Sequence, residues 1–184
     1  MFPSARLALA LLTLALAGCV PPSLHPLYTS KDVIFDQALL GTWRGEEGDA
    51  FQFLGAPGDA YEVVVTADGE PRRMEAHLIQ VGEERFLDLY PTEPDIKNSF
   101  YAAHLLRIHH FVRIRLKEGA IEASMIDAGW LAKQLDANRY SVRREKLEDE
   151  YLLTAQPAEL QAFLKQLLAE KDAFTEPGVY RRVK

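Results

Sequence analysis

Three short runs, LLGTWRG (39–45), DAFQFL (49–54) and AYEVVVTA (60–67), decide the fold. Each is rich in β-branched or aromatic residues, and each is separated from the next by turn formers, Glu47-Gly48-Asp49 and Pro57-Gly58-Asp59. That is the rhythm of an antiparallel meander. Ala67-Asp68-Gly69-Glu70 then supplies the Asp-Gly signal of a tight hairpin, RRMEAHLIQV (72–81) follows, and Gly82-Glu83-Glu84 turns the chain into RFLDLY (85–90).

Beyond a polar loop from Pro91 to Asn98, the stretch from His104 to Lys117 alternates with period two. Its even positions, His104, Leu106, Ile108, His110, Val112, Ile114 and Leu116, are mostly apolar, while Arg107, His109, Arg113, Arg115 and Lys117 fall on the odd ones. This predicts one core face and one wet face. Fourteen residues are long for a strand, so a bend is expected near His109-His110. Lys117-Glu118-Gly119 turns into AIEASMI (120–126). Asp127 can cap a short helix over AGWLAKQLDAN (128–138), and Pro157 can open a better defined one. In that second helix Leu160, Phe163, Leu164, Leu167 and Leu168 form a single apolar stripe, and GVYRRVK (178–184) is a last strand. Nine or ten strands with one substantial helix predict a mainly β domain, an antiparallel barrel or strongly curved sheet, spanning 27–184.

The chain has 184 residues, 21 Lys+Arg against 27 Asp+Glu, and one cysteine. The length suits one domain. The acidic balance lacks the positive field that drives nucleic-acid binding, and no internal disulfide can form. At the N-terminus, Arg6 precedes LALALLTLALA (7–17), too short for a membrane-spanning helix but suited to the core of a secretory signal. Export is expected.

Leu16-Ala17-Gly18-Cys19 resembles the bacterial lipobox. The resemblance implies cleavage between Gly18 and Cys19, with Cys19 acylated on sulfur and on its new amino group, so that residues 1–18 are a signal peptide and the protein is anchored to a membrane. Several acyl chains hold far more firmly than one. By resemblance to sorting in bacteria with two membranes, Val20 in place of aspartate implies the outer membrane, facing the periplasm. Residues 19–26, with Pro21, Pro22 and Pro26, read as the lipidated cysteine and an extended tether.

Gly41-Thr42-Trp43, on the first long strand, resembles the Gly-x-Trp motif of the lipocalin and lipocalin-like barrels, and a helix before the last strand is similar to that superfamily. The resemblance implies that Trp43 closes the barrel bottom against an arginine of a late strand, Arg181 or Arg182.

Chemistry-bearing constellations are weak. His77, His104, His109 and His110 suggest a metal, yet His104 and His110 would lie about 20 Å apart on one extended strand, and neighbours His109 and His110 would face opposite ways. No serine occupies a nucleophile elbow, and the trio Ser124, His110 and Asp127 is one that adjacent strands assemble by chance. The pairs Asp88 and Asp127, or Glu75 and Glu122, sit where a solvated outer face is expected. Glycines are scattered singly, so no phosphate loop is present, and no cofactor, metal or catalytic residue is expected. The basic row Arg107, His109, Arg113, Arg115 and Lys117 could meet an anionic partner, or be a wet strand face balanced by nearby carboxylates.

These features predict a non-enzymatic envelope lipoprotein. The leading expectation is a binding module whose interior, lined by Trp43, Val63, Val65, Leu106, Ile108, Val112 and Ile114, holds a hydrophobic small molecule or lipid. The alternative is a structural or assembly lipoprotein that binds another envelope protein, favoured by a filled interior and an exposed apolar patch.

Overall fold

The computed structural model describes residues 20–92, 96–148 and 150–183. The expected signal peptide, the cleavage point at Gly18 and the lipidated Cys19 lie outside the described residues.

Eight strands close into an antiparallel, lipocalin-like barrel. A two-residue strand β1 (Val33–Ile34) adds to the wall, and a 3-10 turn, Gln37–Leu39, precedes β2 (Gly41–Arg44). The meander continues through β3 (Ala50–Gly55), β4 (Tyr61–Ala67), β5 (Glu70–Val81) and β6 (Glu84–Pro91). A loop carrying the one-turn helix α1 (Ser99–Ala102) leads to β7 (His110–Lys117) and β8 (Ala120–Met125). Next come α2 (Ala128–Asp136), the hairpin β9 (Arg144–Leu147) and β10 (Glu150–Leu153), α3 (Pro157–Leu167) and β11 (Gly178–Arg182). β11 pairs with both β8 and β2, which closes the barrel and leaves it no free edge among these eight strands.

The local chemistry accounts for these elements. Asp68 and Gly69 both adopt positive φ, 52° and 77°, as a two-residue hairpin between Ala67 and its partner Glu70 requires. The Asp127 carboxylate accepts from the Trp130 N–H at 2.6 Å and starts α2. Pro157 opens α3, and Leu160, Phe163, Leu164 and Leu167 are all buried. Burying each such side chain is worth roughly 1.5–3 kcal/mol.

Period two sorts the wall residues into two cores. Cross-strand partners Trp43, Phe51 and Val65 share the inner face, as do Leu78, Leu87 and Val112. A second core lies outside the barrel, where Ile79, Val81, Phe86 and Phe111 meet Leu131 and Leu135 of α2 and the stripe of α3. β5, β6 and β7 are therefore buried on both faces along part of their length. This corrects the expectation of a simply wet odd face in the seventh strand, since Phe111 is buried beneath the helices.

Two further expectations change. The strand foreseen over His104–Lys117 begins only at His110, because Pro91 ends β6 and α1 interrupts the return: the N–H groups of His104 and Leu105 donate to the carbonyls of Tyr101 and Ala102. Register with β6 starts at Leu89 opposite His110. The proline-rich segment is no loose tether either. Pro21, Ser23 and Leu27 are buried, and Ser23 is bracketed by His109 and Leu153, so the packed domain starts ahead of Leu27.

Candidate functional site

The barrel bottom is sealed by Trp43, whose indole N–H donates to the Leu39 carbonyl at 2.7 Å. Arg182, not Arg181, is its partner. The guanidinium stands 4.2 Å from the indole ring centroid and donates to the carbonyls of Leu40, at 2.7 Å, and Ala38. Gly41 has φ +116°, a backbone conformation that favours glycine, and a Cβ there would also come within 2.8 Å of the Arg182 Nη1.

Above this seal the interior is filled with side chains. Trp43, Phe53, Tyr61, Val63, Leu78, Leu87, Ile114 and Ile121 are buried together, with Phe53 edge-on to Tyr61 at 6.0 Å and Phe51 edge-on to Tyr180 at 4.9 Å. Of the expected lining, Val63 and Ile114 are buried in this core, and Val65 and Val112 are half-buried against it. Leu106 and Ile108 are not part of it. Leu106 is 62% exposed in the loop after α1, and Ile108 is half-buried in the same loop, for the reason that delays β7. Two hollows lie outside the barrel. One is a notch of about 250 Å³ between Val20, Pro21, Pro22, α2 and Tyr151; the other lies beside Lys146 and Glu150 on the β9–β10 hairpin.

The most buried acidic side chain among the described residues sits on the outer wall. The Asp88 side chain is 1% exposed; its Oδ1 accepts from His109 Nδ1 at 2.7 Å and its Oδ2 from the Leu27 N–H at 2.7 Å. Its expected place on a solvated face is thus corrected: the N-terminal segment covers it. His109 stacks on Tyr90 at 4.4 Å, and Tyr28 stacks on His77 at 4.1 Å. Burial pushes the Tyr28 hydroxyl up to about 12, helped by the Asp88 and Glu75 charges, and burial holds His77 below the usual imidazole range. Reciprocal backbone bonds between Ser23 and His109, at 2.9 and 2.8 Å, and Gln161 Nε2 donating to the Leu27 carbonyl at 2.9 Å complete the clamp. Its evident work is to weld residues 21–28 to the barrel. Neither the sequence alternation nor the proline count revealed it; Asp88 inside the otherwise apolar run FLDLY was the available signal.

The other constellations come apart. His110 points inward while Ser124, which accepts from Arg113 Nε at 3.0 Å, lies on the outer face, and Asp127 is engaged in capping α2. His104 is exposed in the loop and bonds the Phe100 carbonyl through Nδ1 at 2.7 Å. No group of three or more His, Cys, Asp or Glu among the described residues is placed to hold a metal ion. In the basic row, Arg115 pairs with Glu84, Lys117 pairs with Glu122, and Arg113 lies 4.1 Å over the Phe174 ring. Arg107 stands 5.1 Å from the Tyr90 ring centroid, on the loop rather than the strand. Arg115, Lys117 and His109 are thus matched by carboxylates, while Arg107 and Arg113 rest on aromatic rings.

What fold and site define is a closed barrel with a packed interior, a helical cover on one flank and an N-terminal segment locked to its wall. Comparison adds no relative: no family model, no curated protein and no solved structure matches the chain.

Proposed function

We propose that this chain is an exported lipoprotein, anchored through Cys19, whose barrel serves as a non-enzymatic structural module for another envelope protein at the membrane surface. The observation that carries the reading is the packed interior: eight buried side chains, seven of them aromatic or leucine-sized, occupy space a carrier would keep for its ligand. A protein that cannot enclose a guest acts through its surface. The lipobox resemblance supports the anchor, and the short apolar run before it supports export.

The carrier reading is favoured by the partly exposed side chains along the inner wall, among them Val65, Leu89, Val112 and Leu116.

Two measurements test the proposal. The mass of the N-terminal peptide of the native protein should be that of an acylated Cys19, and an unmodified Met1 or an unacylated Cys19 ends the lipoprotein reading. Cross-linking in intact cells should then join the barrel reproducibly to one envelope protein, whereas a scatter of abundant proteins with no recurrent partner ends the assembly reading.

A further inference from the structure

The loop between β6 and β7 carries the largest exposed apolar side chains of the described residues. Phe100 is 77% exposed, and Tyr101, Leu105 and Leu106 stand exposed beside it. The His104 ring stands 4.6 Å from Phe100. Four large apolar groups within seven residues is the sort of exposed patch that marks an interaction site rather than scattered surface hydrophobicity. The charge around them is also local. The loop between Pro91 and His110 holds two basic residues, Lys97 and Arg107, which flank the apolar group, and two acidic ones, Glu93 and Asp95, ahead of Lys97.

The end of this loop is pinned to the N-terminal segment. Its last residue, His109, exchanges two backbone hydrogen bonds with Ser23. Ser23 lies four residues after Cys19, and Pro21 to Leu27 are fixed to the wall rather than free to extend. With roughly 3.5 Å per residue, acyl chains on Cys19 leave the domain within about 14 Å of the Ser23–His109 bridge. A bilayer holding those chains lies within that reach of His109, the last residue of the loop.

We propose that the loop is a second membrane contact, inserting Phe100, Tyr101, Leu105 and Leu106 into the lipid interface while Lys97 and Arg107 meet anionic headgroups. Aromatic and leucine side chains seated at that depth, next to cations, suit an interfacial anchor. The inference deepens the lipoprotein reading and rests on it for the position of the bilayer. It fixes the orientation of the barrel: β7 rises from the membrane at His110 and places the β7–β8 turn, about 25 Å away along the strand, in the aqueous space.

The test uses the native lipidated protein in vesicles of phosphatidylethanolamine and phosphatidylglycerol. Because Cys19 is the only cysteine and is acylated, a single introduced cysteine takes an environment-sensitive fluorophore without competition. Phe100→Cys labelled in this way should shift to the blue and be quenched by doxyl-labelled lipids, while Glu118→Cys on the distant turn should do neither. Equal solvent exposure at the two positions overturns the proposal, as does a blue shift in native membranes without lipid quenching, which would mean a protein covers the loop. A Cys19→Ser form of the mature chain, exported behind a cleavable signal and purified without lipid, separates the two readings. It should still float with anionic vesicles, and replacing Phe100, Tyr101, Leu105 and Leu106 together with serine should weaken that partition about tenfold or more. The four side chains are exposed, so unchanged circular dichroism is expected. Loop-dependent flotation combined with an unacylated native N-terminus would sink the anchor and leave the loop; an acylated N-terminus with loop-independent flotation would do the reverse.

Discussion

Arg182 and Trp43 are locked together at the barrel bottom, the guanidinium 4.2 Å from the indole ring centroid and tied to the carbonyls of Leu40 and Ala38. The last strand thereby holds the turn that enters the first long one. Arg182→Ala should lower stability by about 2 kcal/mol, combining a stacked cation and two charge-assisted hydrogen bonds. Arg182→Lys should recover only part of this, since a point charge cannot bond two carbonyls and stack at once. Gly41→Ala should cost about 1–3 kcal/mol through its positive φ and the crowded Arg182 Nη1. Urea unfolding of the three variants checks the order.

Asp88 ties the N-terminal segment down. Asp88→Ala leaves the Leu27 N–H and the His109 Nδ1–H buried without acceptors, and should cost about 2–5 kcal/mol. The distinctive readout is local: limited proteolysis should cut within residues 20–28 of the variant while the wild-type segment resists. Equal resistance would mean that the clamp does not depend on this carboxylate.

Acid should weaken the fold in two steps. His77 and His110 are held below the usual imidazole range by burial, so the unfolded chain binds protons that the folded chain refuses, and stability falls as pH drops below about 6.5. Glu84, held low by the Arg115 guanidinium, and Asp36, held low by the Ala38 N–H and by Arg85, act in the carboxylate range: their stabilisation is present above about pH 4 and is lost as pH falls through their lower folded values. Melting temperature followed from pH 8 to pH 3 should decline over both windows, and a His77→Gln, His110→Gln double variant should flatten the upper one. An unchanged upper slope contradicts the assignment.

A packed interior predicts how an empty one would behave. Phe53→Ala removes a buried ring from the centre of the barrel, and should destabilise by about 3–5 kcal/mol while opening a dry apolar cavity. The variant should gain stability from benzene-sized ligands, measured as a rise in melting temperature, that the wild type does not show.

The meander was legible because its turn chemistry is explicit. Asp68-Gly69, Pro57-Gly58-Asp59 and Glu47-Gly48-Asp49 punctuate runs whose alternation matches a wall with one buried face. The reading broke where both faces are buried or where a local helix intervenes. Period two cannot foresee that Phe111, on the side with Arg113 and Arg115, is covered by α2 and α3, because that cover comes from residues far along the chain. Leu106 and Ile108 kept the alternation of β7 but lie ahead of His110, its first residue paired with β6. The β9–β10 hairpin went unread: Arg144 to Leu153 is strongly charged, and its one signal, Glu148 at φ 54°, is a conformation that glutamate does not advertise. Of the site, Gly41 and Trp43 were legible by resemblance, while the choice of Arg182 needed the register of β11 against β2, where Arg182 lies opposite Trp43.

The central claim is that the barrel is full. Native mass spectrometry tests it most directly, on the mature domain with Cys19→Ser, expressed to the periplasm behind a cleavable signal and purified without detergent. The account predicts the bare polypeptide mass in every preparation. A reproducible apolar adduct that leaves only on denaturation would contradict it and restore the barrel as a carrier.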